Sequence, residues 1–232
     1  MIPLKRLAGD FLSLLFPELC NACGKSLFHG ETLICTKCAY DLPYTDFEQY
    51  AENPVAKQFW GRIPVHAAMA MLYFNKGNKV QHLIHHLKYK DQTQLGILLG
   101  HKLGERIKNS PYYTGITTIV PVPLHPQRQR SRGYNQSKFI ADGIAEILKV
   151  RVNDQLLKRS RATPTQTKKN RYNRFLNMQT VFVVKNPELL NQQHILLVDD
   201  VMTTGATLEA CGIELLKHGT KKLSIVTLAY VK

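Results

Sequence analysis

The chain lacks a long apolar run, a nucleotide-binding phosphate loop and an even supply of acids. Nowhere in its 232 residues do the roughly 18–20 consecutive apolar positions of a membrane-spanning helix occur. No G-x-x-x-x-G-K-S/T is present, which argues against a P-loop ATPase. Lys5 and Arg6 have apolar residues around them rather than after them, and no small-residue cleavage site follows, so a secretory signal is not expected. There is no internal repeat and no low-complexity tract. Acids are scarce, 17 Asp and Glu against 31 Lys and Arg, for a formal charge of +14. The imbalance is local: Pro121 to Thr180 holds 13 Lys or Arg against Asp142, Glu146 and Asp154 alone, a surplus of ten. Such a window attracts polyanions. It fits a solvated surface, a pyrophosphate pocket that uses a few of the charges, or a nucleic-acid surface, and composition does not choose among them.

A 44% hydrophobic fraction is that of a folded chain, and this length suits one medium domain plus a small one. Cysteines are few, five in all. Cys20, Cys23, Cys35 and Cys38 form C-x2-C-x11-C-x2-C, the knuckle spacing of a tetrahedral zinc site. Gly24 supplies the permissive backbone that a knuckle turn needs. Four sulfurs close the coordination sphere, so the zinc would be structural. Pairing them as disulfides instead requires an exported chain. Cys211 stands alone and reads as a small core residue.

The most informative stretch runs from His194 to Ala210. Ile195–Val198 is the continuous apolar run of a strand buried on both faces. It ends in Asp199 and Asp200. Thr203, Thr204, Gly205, Ala206 and Thr207 follow as a loop, and then a helix over Thr207–Lys217. Backbone N–H groups at a helix start, a glycine and flanking hydroxyls make a phosphate cradle. Two adjacent carboxylates suit a vicinal diol, and a diol beside a phosphate is a ribose 5-phosphate. A capped helix behind a buried strand would explain the apolar run, but not two acids and three threonines around one glycine.

The rest of the chain is placed around this stretch. Residues 1–16 form an amphipathic helix that Pro17 ends; it packs on the body of the protein or, alternatively, lies on a membrane surface. The zinc ribbon covers 17–45. Residues 46–64, with Pro54, Gly61 and Pro64, read as a linker. The remainder, 65–232, alternates strands and helices: strands Ala67–Phe74, Ile116–Val122, Val181–Lys185, Ile195–Val198 and Leu223–Tyr230, and helices Val80–Leu87, Leu95–Ile107 and Gln136–Leu148. This is an α/β class with a mainly parallel sheet, whose ligands sit at the carboxyl ends of strands. Gly96, Gly100 and Gly104 leave one helix face bare, which predicts close packing against the sheet. His82, His85 and His86 share a helix face, and no carboxylate or fourth ligand lies near them in sequence to make a metal site.

After the strand ending at Val122, Arg128, Arg130 and Arg132 alternate along a proline-punctuated loop that closes at Gly133, and Asn135 can cap the next helix. Arginine forks suit pyrophosphate. An exposed basic loop is the plain alternative.

Val198 to Thr207 resembles the binding loop for phosphoribosyl pyrophosphate (PRPP) in the type I phosphoribosyltransferases. With the four cysteines, Leu87-Lys88-Tyr89, Pro121-Val122-Pro123, Arg132-Gly133-Tyr134-Asn135-Gln136, Arg161-x-Thr163-x-x-Gln166, Arg174-x-x-Asn177 and Phe182, the whole chain resembles the ComF family, competence protein F and its GntX-like relatives. Thr180 departs from the glycine common there. The resemblance implies a type I phosphoribosyltransferase fold behind a small N-terminal zinc ribbon. It assigns PRPP to Val198, Asp199, Asp200, Thr203, Thr204, Gly205, Ala206 and Thr207, with the two acids on the ribose hydroxyls and in the catalytic role. Pyrophosphate falls to Arg128, Arg130, Arg132 and Lys88. Mg²⁺ would arrive with PRPP and Zn²⁺ would fill the ribbon. Arg159–Arg174 takes the position of a mobile lid. The process implied is DNA uptake during natural transformation, with single-stranded DNA and an uptake helicase as partners, on the cytoplasmic side and in contact with the inner face of the membrane. Tyr134, Tyr172 and Phe175 are then stacking platforms among the cations, or else ordinary packing residues. The alternative function is a phosphoribosyltransferase acting on a small nucleophile, unrelated to DNA.

Overall fold

The apolar run Ile195–Val198 forms the centre of the sheet, where no side chain of the four has measurable exposure. The computed structural model describes residues 17–75, 79–90, 92–159 and 182–232. The helix expected over 1–16 and most of the basic segment, with Arg161, Tyr172, Arg174 and Phe175, lie outside the described residues.

Five strands, β1 (Ala67–Phe74), β2 (Thr118–Pro121), β3 (Arg151–Val152), β6 (His194–Met202) and β7 (Lys222–Val231), pair in the order β1-β7-β6-β2-β3. Every pairing among them is parallel. Two short strands, β4 (Leu157–Arg159) and β5 (Phe182–Val184), make a separate antiparallel pair. The strand expected at 181–185 therefore belongs beside the main sheet, not in it.

Helices α1 (Thr36–Tyr40) and α2 (Pro54–Lys57) precede the sheet. Those among the strands are α3 (Lys79–Tyr89), α4 (Thr93–Lys108), α5 (Pro126–Arg132), α6 (Gln136–Leu148) and α7 (Ala206–Lys217). Connections from β2 and from β6 leave in opposite directions, β2 to β3 on one side and β6 to β7 on the other. The crevice at the carboxyl ends of these two neighbours is the switch point at which open α/β sheets bind ligands.

Three expectations change. First, β6 does not stop at Val198 but continues through both acids to Met202, because β7 still pairs with it, Asp199 opposite Thr227 and Val201 opposite Ala229. Second, residues 126–132 are a helix and not a loop. Pro126 sits in its first turn, the His125 side chain accepts from Gln127 N–H, and Gly133 ends it at φ +83°. Third, the glycine face of α4 meets α6, not the sheet. A Cβ at Gly100 would stand 2.3 Å from the Ile140 carbonyl oxygen, and one at Gly143 2.3 Å from that of Ile97. Two backbones in such contact leave no room for a methyl group. Gly143→Ala should therefore lower stability by about 1–3 kcal/mol despite alanine's better helix propensity. A urea midpoint unchanged from the parent chain would contradict this packing.

Residues 46–64, read as a linker, carry Phe47, Val55, Ala56, Phe59 and Ile63 in the core. Asn53 caps α2 through bonds from Val55 N and Ala56 N, and its amide donates to the carbonyl of Ala68 on β1. The segment is thus fastened to the edge of the sheet.

Candidate functional site

The site begins where β2 and β6 part. Their pairing ends at Pro121 opposite Val198, with one more bond from Val122 N to the Val198 carbonyl. Pro123 has no N–H with which to extend the ladder, so β2 turns off while β6 runs on. Asp199 to Met202 thereby gain an open edge toward the crevice. Val198 itself is fully buried, and its part in the site is confined to its backbone.

The two acids point to different neighbours. Asp199 Oδ1 accepts from the Ser137 hydroxyl at 3.0 Å and from Asp200 N at 2.9 Å. Asp200 Oδ1 accepts from Val201 N at 2.8 Å, and its Oδ2 stands 2.6 Å from Lys88 Nζ. Burial and the charge of Asp200 push the Asp199 carboxyl up to about 7.

Beyond Met202 the chain makes the cradle. Gly205 adopts φ +73° immediately before α7. Phe59 lies directly beneath it, so that a Cβ there would meet the ring at 3.3 Å. Asp199, Thr203, Thr204, Gly205, Ala206 and Thr207 are among the walls of a cavity of about 70 Å³. The first turn of α7, the positive end of its dipole, borders it, an arrangement that suits an anion. Arg62 supports the loop from outside, donating to the Thr204 carbonyl at 3.2 Å and pairing with Glu209.

The expected pyrophosphate residues are only partly brought together. Lys88 reaches Asp200. Arg132 lies over the Tyr89 ring, 5.3 Å from its centre, and bonds Gln136 Oε1. Arg128 and Arg130 are exposed. Two residues apart on a helix, they cannot share a face. Tyr134 packs against Phe139 and donates from its hydroxyl to the Leu87 carbonyl at 2.7 Å, which makes it a packing residue here. Arg159, half-buried over the Phe182 ring, feels both Asp199 and Arg128. It extends the cationic side of the crevice.

Ser137, Phe59 and Arg62 escaped the sequence reading. Phe59 and Arg62 carried a weak signal, since Val55, Phe59 and Ile63 recur every four positions within the supposed linker. Ser137 carried none.

The four cysteines form a second centre. Their sulfurs lie within 4.8 Å of one another, and Cys23 and Cys35 are 3.9 Å apart. That separation is far beyond a disulfide and close to the edge of about 3.8 Å that a tetrahedron of 2.3 Å Zn–S bonds requires. Cys35 N donates to Cys20 Sγ at 3.3 Å and Cys38 N to Cys35 Sγ at 3.4 Å, and Gly24 takes φ +72°. Burial and the neighbouring sulfurs raise Cys38; a dication offsets that cost. The donor set fits a tetrahedral soft-metal ion.

No described helix is long and apolar enough to cross a membrane.

A parallel sheet with a glycine-bearing loop and a helix N-terminus at its switch point, and acids on the preceding strand, defines a class. Residues 136–232 match the phosphoribosyl transferase domain family. Over 211 residues it is 27% identical to DNA utilization protein YhgH of Escherichia coli O6:H1, covering 89% of this chain and 88% of the relative. Over 218 residues it is 26% identical to competence protein F of Haemophilus influenzae, covering 91% and 90%. The chain is thus similar, along most of its length, to proteins named for competence and DNA utilization. Among solved structures, glutamine PRPP amidotransferase from B. subtilis is similar at 13% identity and a TM-score of 0.44, over 62% of this chain and 30% of that enzyme. The chain thus spans under a third of that enzyme's length.

Proposed function

We propose that this chain binds PRPP and acts in DNA uptake during natural transformation, as a ComF-type protein with a phosphoribosyltransferase-type site. The observation that carries the reading is the cradle: an acid-bearing strand, a left-handed glycine and a helix N-terminus enclosing a small polar cavity. The names of the relatives, competence and DNA utilization, supply the process.

In this reading Asp199 and Asp200 take the ribose hydroxyls. Thr203, Thr204 and Thr207, with the backbone of Gly205 and Ala206, hold the 5-phosphate. Lys88 and Arg132 face the pyrophosphate, and Arg128 and Arg130 add field rather than contact. Val198 contributes its backbone. Phosphoribosyl chemistry develops positive charge at the sugar as pyrophosphate leaves, so cations at one end and carboxylates at the other are the required electrostatics. Mg²⁺ would be held chiefly by pyrophosphate and ribose oxygens and by waters, and would neutralise the departing pyrophosphate. Zn²⁺ held by Cys20, Cys23, Cys35 and Cys38 has no open position and serves structure. The ribbon is assigned to 17–45 and the phosphoribosyl domain to 65–232. The protein works on the cytoplasmic side, at the inner face of the membrane, and its basic window meets single-stranded DNA beside an uptake helicase.

A second reading, transfer of phosphoribosyl to a small nucleophile, is favoured by one observation. A carboxyl pushed up to about 7, as Asp199 is, is matched to proton transfer at neutral pH.

Titration calorimetry of the whole chain with PRPP and Mg²⁺, then with single-stranded DNA at low and moderate salt, tests the proposal. One PRPP per chain and DNA affinity that falls steeply with salt are expected. No PRPP binding would end the phosphoribosyl reading. Absent or salt-independent DNA binding would end direct DNA contact.

A further inference from the structure

Helix α3 connects the cysteine cluster to the crevice. His82 and His86, one turn apart, each present Nδ1 to the ribbon: His82 to the Ala22 carbonyl at 3.0 Å, His86 to Oδ1 of Asn21. Both partners are acceptors, so Nδ1 carries the proton in each ring. The Asn21 amide is itself oriented, since its Nδ2 donates to the Leu33 carbonyl at 2.9 Å. Lys79, in the first turn, pairs with Asp41 at 3.1 Å. Asn21 and Ala22 lie between Cys20 and Cys23, and Asp41 is three residues past Cys38. Each of these ties therefore ends within three positions of a cluster cysteine. At the other end of the helix, Lys88 meets Asp200 and the Leu87 carbonyl takes the Tyr134 hydroxyl.

The buried face of α3, Val80, Leu83, Ile84 and Leu87, holds it against the core but is non-directional. Directional polar ties set how far along and about its axis the helix sits. Lys88 depends on that setting, because the hydrogen bond within a 2.6 Å ion pair is lost with a displacement of about an ångström.

We infer that the cysteine ribbon positions the phosphoribosyl site through α3: Asn21 and His86 set the helix so that Lys88 meets Asp200, and metal occupancy of the four cysteines is thereby coupled to PRPP affinity. The inference rests on the reading of Asp199–Thr207 as the PRPP loop and gives the ribbon a role in it. Lys88 supplies the counter-charge that lets two adjacent acids receive an anionic sugar phosphate. Asn21 and His86 are positioning residues that never touch the ligand. Coupling is reciprocal, so PRPP should also slow the loss of metal to a chelator.

The test uses the whole chain, zinc-loaded and stripped, with His86→Ala, His86→Asn, Asn21→Ala and Lys88→Met. Hydrogen exchange over residues 79–89 and PRPP titration are read together. Stripping the metal, His86→Ala and Asn21→Ala should each speed exchange in the last turn of α3 and weaken PRPP about tenfold, within the usual range of site coupling. His86→Ala should keep one zinc per chain. His86→Asn restores an N–H near the lost Nδ1 and should recover most of the affinity, which a residue that merely filled space would not do. Lys88→Met should weaken PRPP without altering exchange. If exchange and affinity are unchanged in His86→Ala and Asn21→Ala, the ribbon does not position Lys88. If the wild-type chain binds no PRPP, the loop reading fails instead, and the exchange data still decide whether the ribbon holds α3.

Discussion

Replacing Asp199 and Asp200 together by asparagine should weaken PRPP about a hundredfold or more while leaving the fold intact. Each charge-assisted bond to a ribose hydroxyl is worth roughly 1.5–3 kcal/mol, and about 1.4 kcal/mol is tenfold. Asparagine keeps the volume and one oxygen, so the bonds from Ser137 to residue 199 and from Val201 N to residue 200 can persist. Lys88 loses its ion pair, but its side chain is about a quarter exposed and its head group can reach water. Stability without ligand should hold or rise, and its dependence on pH shows why. Asp199 is raised from 3.8 to about 7 in the folded chain. Between those values the Asp199 carboxyl binds more protons in the native state than in the unfolded one, so its own contribution to stability falls as pH rises through the window and levels off above it. Asp199→Asn has no proton to lose and should flatten that slope. Melting curves between about pH 4 and about pH 8 check it, and PRPP titration checks the affinity. A folded double variant with wild-type affinity would mean that the loop has been misread. A wild-type chain whose melting temperature varies with pH just as that of Asp199→Asn does would mean that Asp199 is not the strained group.

Much of this site was legible because its signals are local. An apolar run, two acids and a glycine among threonines sit within one short stretch, and each is read without knowing what lies across the fold. The end of β6 was not legible, since Asp and Thr at the end of an apolar run look like a strand's terminus. The pairing that extends it comes from β7, a helix away. Punctuation misled in two places for one reason. Pro126 and Gly133 bound a seven-residue helix too short to show a period, and Pro54 opens α2 behind the capping Asn53. Proline near a start and glycine past an end mark helices as readily as loops. The glycines of α4 announced a close approach, but nothing in their spacing says that the partner is Gly143 of α6. Lys88 and Asp200 lie far apart in sequence, and their contact follows only from the placing of α3 against the sheet edge.

Stripping the metal from the cysteine cluster should have the largest structural effect of any single perturbation, and a local one. The ribbon owns few apolar core residues, chiefly Ala22, Ile34 and Leu42 besides its buried cysteines. So small a cluster cannot offset the conformational entropy of the segment that it orders. Structural zinc supplies roughly 10–16 kcal/mol in small zinc peptides, enough to account for the order seen. The parallel sheet is different: β6 and β7 are buried along most of their length, in a core that draws most of its side chains from outside the ribbon. Purified protein should therefore contain one zinc per chain. Cys35→Ser removes one of the four sulfurs but leaves a hydroxyl that can still cap α1, where Cys35 Sγ accepts from Cys38 N. It should lose the metal and make residues 17–45 cleavable by a protease under conditions in which the strands remain protected from hydrogen exchange. Zinc content by mass spectrometry, limited proteolysis and exchange read the three parts separately. A Cys35→Ser chain that keeps full zinc and a protease-resistant ribbon would show that the four sulfurs do not act as one tetrahedral site. A chain that unfolds throughout would show that the sheet depends on the ribbon far more than its own buried strands imply.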